Sequence, residues 1–277
     1  MTSPQLGSRT LHSALVKVPQ VTAFFWVIKV LATTVGETFA DYLNSTLGFG
    51  LPKTTYVISA LLIAMLVVQF RKSTYVPWVY WLVVILISVA GTLVTDNLTD
   101  NFGVPLTTTT IIFSICLAIT FVVWYKSEGT LSIHSVITRK REAFYWLAIL
   151  FTFALGTASG DLVNEKFAIG YSKGFILFGG LILLTSVGFR LGVNAVLSFW
   201  IAYILTRPLG ASLGDLLTQP KIAEDGGFPG MGIDKYIVNG VFAVVIVALV
   251  TYLQIAKPDV ITEVDVTELG DIDASTI

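Results

Sequence analysis

The chain has 277 residues, of which 55% are hydrophobic and 13% charged, with a formal net charge of -1 and a mean hydropathy of +0.80. Soluble domains are roughly a quarter charged, so these values exclude an ordinary soluble fold and point to a membrane protein. The near-neutral charge also excludes nucleic acid as a main partner, because phosphate binding needs a clustered excess of Lys and Arg.

Residues 1–20 carry Arg9 and Lys17 but no apolar core, so they read as a cytoplasmic N-terminal segment and not as a cleaved leader. A bilayer-spanning helix needs about 20 apolar residues. Eight stretches qualify: 22–43, 54–70, 77–98, 106–125, 143–164, 173–190, 193–217 and 235–255. Solid apolar runs such as LLIAMLVVQF and VFAVVIVALV lack the alternation of a transmembrane strand, so the expected class is all-α and polytopic. With eight spans, ten Lys and Arg residues fall on the side of Arg71, Arg139, Lys140 and Arg141, and five on the side of Lys53, Lys166 and Lys235. This asymmetry predicts a multi-pass protein of the cell inner membrane with both termini in the cytoplasm. Residues 257–277 hold Asp259, Glu263, Asp265, Glu268, Asp271 and Asp273 without apolar periodicity, and they read as a disordered acidic tail. Cys116 is the single cysteine, and His12 and His134 lie outside the apolar runs, so neither a disulfide nor a Cys/His metal centre is expected. No cofactor is implied.

An internal repeat organises residues 21–256. An aromatic-Trp pair occurs at Phe25-Trp26, Tyr80-Trp81, Tyr145-Trp146 and Phe199-Trp200. Each Trp is followed at a fixed distance by a glycine (Gly36, Gly91, Gly156, Gly210) and then an aspartate (Asp41, Asp96, Asp161, Asp215), giving W-x9-G-x4-D four times. A plainer apolar helix follows each copy. The chain thus divides into four helix pairs, about 21–75, 76–140, 141–194 and 195–256, which enter the membrane in the same direction as parallel repeats. Each Trp is expected near the cytoplasmic interface, with the glycine about 15 Å and the aspartate about 22 Å deeper.

In these features the chain resembles a bacterial membrane repeat family of unknown function, built of four tandem repeats of two transmembrane regions with a characteristic Trp. The resemblance rests on Trp26, Trp81, Trp146 and Trp200 with their G-x4-D followers and covers about residues 20–255. It implies the fold and no activity.

Ionised groups inside hydrocarbon cost at least about 2.5 kcal/mol and so face a bundle interior or a water-filled cavity. Thr33, Thr34, Glu37, Thr38 and Asp41 form one polar stripe on the first helix, and Ser88, Thr92, Thr95, Asp96 and Asp100 form another on the third. Glu37/Asp41, Asp96/Asp100 and Asp161/Glu165 are carboxylate pairs at i and i+4, and such pairs suit proton or cation traffic. The predicted ion-binding set is Glu37, Asp41, Asp96, Asp161 and Asp215 with Thr34, Thr38 and Thr92. Within it, Glu37, Asp41, Asp96 and Asp161 are the candidate ligands of a hard divalent ion. Lys29 and Arg207, the latter followed by Pro208, break the equivalence of the repeats and are expected to neutralise carboxylates. The glycines read as close helix contacts or ligand approaches, and the Trp residues as interfacial anchors or wedges between repeats.

No nucleophile elbow, P-loop or zinc-protease motif is present, so no enzyme is expected. Two function classes remain. One is a secondary transporter, exporting a divalent cation of the manganese type or another small charged solute against protons. The other is a non-transporting membrane scaffold or sensing module. Beyond the bilayer and that solute, no partner and no oligomeric state are legible.

Overall fold

A computed structural model describes residues 16–222 and 228–261. Residues 1–15 and 262–277, which hold most of the expected N-terminal segment and acidic tail, lie outside the described residues. Among the described residues, eight helices are long and apolar enough to cross a membrane: α1 (Ala23–Asp41), α2 (Leu51–Arg71), α3 (Pro77–Asp96), α4 (Leu106–Glu128), α5 (Arg139–Asp161), α6 (Tyr171–Arg190), α7 (Ala195–Thr218) and α8 (Lys235–Ala256). This is the expected all-α, multi-pass membrane architecture.

Local chemistry starts the helices where the sequence switches from polar to apolar. Thr22, Thr138 and Asn194 cap α1, α5 and α7 by accepting from the backbone three residues on. Pro52 and Pro77 occupy the first turns of α2 and α3, where no intrahelical donor is lost. Gly50 and Gly170 precede α2 and α6 with φ of 76° and 80°, a conformation that reverses the chain and favours glycine. In the first three repeats the motif helix continues past its aspartate as a π-helical turn (Tyr42–Thr46, Asn97–Asn101, Leu162–Lys166). The fourth remains α-helical to Thr218.

The four motif helices form a closed ring. α1 packs on α3, α3 on α5, α5 on α7, and α7 back on α1. The even helices lie outside. In the most apolar window of each motif helix 56–67% is buried, against 11–22% for the even helices. The two helices of a sequence repeat are not the packing unit, because each even helix lies on the motif helix of the following repeat. α2 lies on α3, α4 on α5 and α6 on α7, while α8 returns to α1 and leans on α3. Except at Asp100, which is exposed, the polar stripes therefore face protein, and apolar side chains such as Ile63, Ile119, Leu183 and Val244 are exposed on the outside.

Candidate functional site

The repeats meet around the ring in layers that obey one rule of succession. At the level of the Trp residues, the aromatic residue before each Trp packs on the Trp of the next repeat. Phe25 lies 5.6 Å from Trp81 between ring centroids, Tyr80 5.4 Å from Trp146, Tyr145 6.4 Å from Trp200, and Phe199 5.8 Å from Trp26. Trp81, Trp146 and Trp200 are buried and Trp26 is half-buried, so these side chains act as wedges between repeats. The Trp200 indole donates to the Leu131 carbonyl at 3.0 Å.

Ten residues further on, the motif glycines repeat the pattern. A Cβ on Gly36 would overlap Ser88, on Gly91 Phe153, on Gly156 Arg207, and on Gly210 Thr33. The residue met is always seven positions after the next Trp. Small-residue contacts of this kind let transmembrane helices approach closely, and four of them set the radius of the ring.

That shared register holds Thr33, Ser88, Phe153 and Arg207, all fully buried. The Arg207 guanidinium therefore enters the ring centre and reaches the other three motif helices. Its Nη2 bonds to Glu37 Oε2 on α1 at 2.7 Å and to the Thr92 hydroxyl on α3, and its Nη1 donates to the Thr33 carbonyl at 3.4 Å. Its plane lies 5.9 Å from the Phe153 ring centre on α5. Thr92 also donates to Glu37 Oε2, at 3.3 Å. Pro208 stands inside α7 and its ring packs by Gly156 and Gly160.

Lys29 does not follow the expectation of a carboxylate or an aqueous outlet. Its ammonium is fully buried, 4.0 Å from the Tyr203 ring centre and 4.1 Å from that of Phe153, with no hydrogen-bond partner. Burial leaves it no path to the surface, and two aromatic faces replace an anion.

The aspartates lie at the opposite end from the Trp layer. Asp41, Asp96 and Asp161 are half-buried, Asp215 is buried, and Asp100 is exposed. Asp41 Oδ2 pairs with Lys235 of α8 at 2.9 Å. Thr38 donates to Asn239 of α8 at 2.7 Å, and the Thr34 hydroxyl bonds to the Val30 carbonyl at 3.1 Å. Thr34 and Thr38 thus serve helix packing, with Gly214 against both. The side chain of Glu165 lies outside the described set. Among the described residues no group of three or more His, Cys, Asp or Glu side chains is placed to hold a metal ion. The metal set expected from Glu37, Asp41, Asp96 and Asp161 is therefore not assembled, since Glu37 and Asp41 are each engaged by a cation from another helix.

The Trp end is closed by three segments distant in sequence. The Lys17 backbone N–H donates to the Val136 carbonyl at 3.0 Å, that of Tyr75 to Val16 at 3.1 Å, and that of Gln20 to Asp259 at 2.8 Å. The Lys17 ammonium pairs with Glu142 at 2.7 Å, and Gln69 donates to the other oxygen of Glu142 at 2.9 Å. The Tyr75 hydroxyl donates to Asp259 Oδ2 at 2.7 Å. Val16, Val18, Ile133, Val136 and Ile261 join the same apolar core as Phe25 and Trp81. Residues 257–261 therefore begin as a docked segment, a correction to the expected disorder of the whole tail. Burial pushes the Asp259 carboxyl above its usual range.

Sequence reasoning named Glu37, Thr92 and Arg207 and placed Thr33 on the polar stripe of α1, but it missed Phe153 and Tyr203, the pairing of Lys235 with Asp41, and the contacts that close the Trp end. Placing the four repeats in register on their Trp residues puts Phe153 with Arg207 and Tyr203 with Lys29, and that signal was present in the chain. Nothing local marks Lys17 and Glu142, which are 125 residues apart.

A family model described as Repeat of Unknown Function (DUF347) matches residues 24–75, 79–130, 144–189 and 198–258. A search of curated proteins and a search of solved structures gave no match.

Proposed function

The chain belongs to the family of the Repeat of Unknown Function, DUF347, and from that premise we propose that it is a proton-coupled secondary transporter for a small cation. The observation that carries the reading is the Arg207–Glu37–Thr92 group at the centre of a helix ring that is sealed at its Trp end and acidic at the other. A passive bundle has little use for this arrangement. Burying two ions costs several kcal/mol each, and a buried pair is often no more stable than apolar residues of the same volume.

The chemistry fits exchange. A cation entering from the Asp end first meets Asp96, Asp161 and Asp215, whose carboxyl oxygens are suitable ligands for a hard ion. Glu37 stands beyond them with Arg207 as its resident counter-cation. Protonation of Glu37 removes the charge that holds Arg207, and a divalent ion with oxygen ligands competes for the same carboxylate. Proton and cation therefore contend for one site, as coupling requires. The excess of Lys and Arg at the Trp end supports an inner-membrane orientation with that end in the cytoplasm. Export of a manganese-type divalent ion is the first case to test.

The experiment is metal-dependent proton movement across vesicles containing the full chain, with manganese, magnesium and calcium added in turn. The wild type is expected to move protons with one of them. Glu37→Gln together with Asp41→Asn is expected to abolish this while the protein still accumulates in the membrane. Full exchange by that double variant rejects the carboxylate route and leaves the scaffold reading.

A further inference from the structure

A groove of about 780 Å³ opens on the outside of the ring at the Trp end, between α1, α6, α7 and the segment before α5. Its walls are mainly apolar, with Trp26 and Val27 on α1, Ile182 and Phe189 on α6, and Ala202 and Leu209 on α7. Along α7 it runs from Ala195 to Leu209, about 21 Å at the helical rise. The hydrocarbon core of a bilayer is about 30 Å thick, so the groove extends from the level of the headgroups past the midplane. It is therefore long and apolar in the direction of an acyl chain.

Its mouth is polar. Arg190, the last residue of α6, is exposed and lines it. Ser198, one turn into α7, also lines it and is 6% exposed, yet its hydroxyl has no hydrogen-bond partner. The other hydroxyls on the α6 wall do not share this state, because Thr185 and Ser186 bond to carbonyls of their own helix. A buried hydroxyl left open costs free energy unless a partner arrives. An exposed guanidinium and an unpartnered hydroxyl that line the same groove suit a phosphate group.

We propose that this groove is a binding site for an anionic phospholipid, with one acyl chain along α7 and its phosphate at the Arg190 mouth. The proposal is independent of the transport reading.

Trp26 forms part of the wall and supplies the probe. The full chain is reconstituted in vesicles of phosphatidylcholine containing a minor fraction of lipid brominated on its acyl chains, either phosphatidylglycerol or phosphatidylcholine. The part of the tryptophan fluorescence that disappears in Trp26→Phe reports contact with bromine. Brominated phosphatidylglycerol is expected to quench that part severalfold more than the same amount of brominated phosphatidylcholine, and Arg190→Gln is expected to bring the two close to equality. Equal quenching in the wild type, or a preference unchanged in Arg190→Gln, overturns the proposal. Inorganic phosphate at millimolar concentration should leave the preference intact, and its loss assigns the mouth to a soluble phosphate and overturns the lipid site. If Trp26→Phe fails to fold, native mass spectrometry of wild type and Arg190→Gln reads the same question. Phosphatidylglycerol carried by the wild type and lost from the variant supports the site, whereas equal retention sinks it.

Discussion

The two ends of the ring are built from the same four helices and differ in almost every physical respect. At the Trp end, eight aromatic residues in cyclic succession, six of them buried, pack together beneath three docked segments. At the other end the same succession yields four aspartates, three of them half-buried, with π-helical turns beneath them. Arg207 and Glu37 lie where the two regimes meet. The contrast teaches that fourfold repetition supplies the frame, while the departures from it supply the chemistry, since only one repeat holds the guanidinium and only one the carboxylate that receives it.

The largest effect is expected from breaking that junction. Arg207→Ala leaves Glu37 buried without its cation, and losses of about 3–5 kcal/mol follow the removal of one partner of a buried pair. Arg207→Met with Glu37→Leu should recover most of the stability while transport stays absent. Thermal unfolding in detergent alongside vesicle transport separates the two, and a double variant that remains as unstable as the single one breaks the argument.

Next comes the ring radius. Gly156→Ala places a methyl group against Arg207 Cβ and Cγ, and Gly91→Ala one 2.8 Å from Phe153 Cβ. Overpacking costs about 1–3 kcal/mol. Only Gly156→Ala is expected to lower transport beyond its effect on stability. Equal transport defects in the two variants, at matched abundance, contradict a special role for Arg207.

The closed end should open with a smaller and local change. Lys17→Met removes the cation from Glu142 and is expected to raise amide hydrogen exchange in residues 16–20 and 257–261 without unfolding the helices. The same cap depends on pH through Asp259. Its carboxyl titrates above the usual range because of burial, so docking favours the protonated form, holds at low pH and weakens as pH rises through the raised value. Asp259→Asn should make the protection of the Tyr75 and Gln20 amides, relative to their intrinsic exchange rates, independent of pH. An unchanged pH profile in that variant removes Asp259 from the explanation.

The smallest effect is expected from Asp100→Asn. Asp100 is exposed and accepts from Thr99 at 2.9 Å, so transport and unfolding temperature should both stay near the wild type.

The sequence by itself determined the class, the eight spans and the parallel repeat, because hydropathy over about 20 residues and a motif of fixed spacing are local properties. It also singled out Glu37, Thr92 and Arg207, since charge and hydroxyl groups in an apolar helix have few tolerable settings. The tertiary structure decided which groups meet. Arg207 and Glu37 are 170 residues apart and become neighbours only because the fourth motif helix closes on the first. The same closure turns Lys29 toward Phe153 and Tyr203 and away from any carboxylate, and it sets each even helix on the following repeat. Periodicity gives a helix its inward face, but the partner on that face follows from packing between chain segments that no local pattern connects.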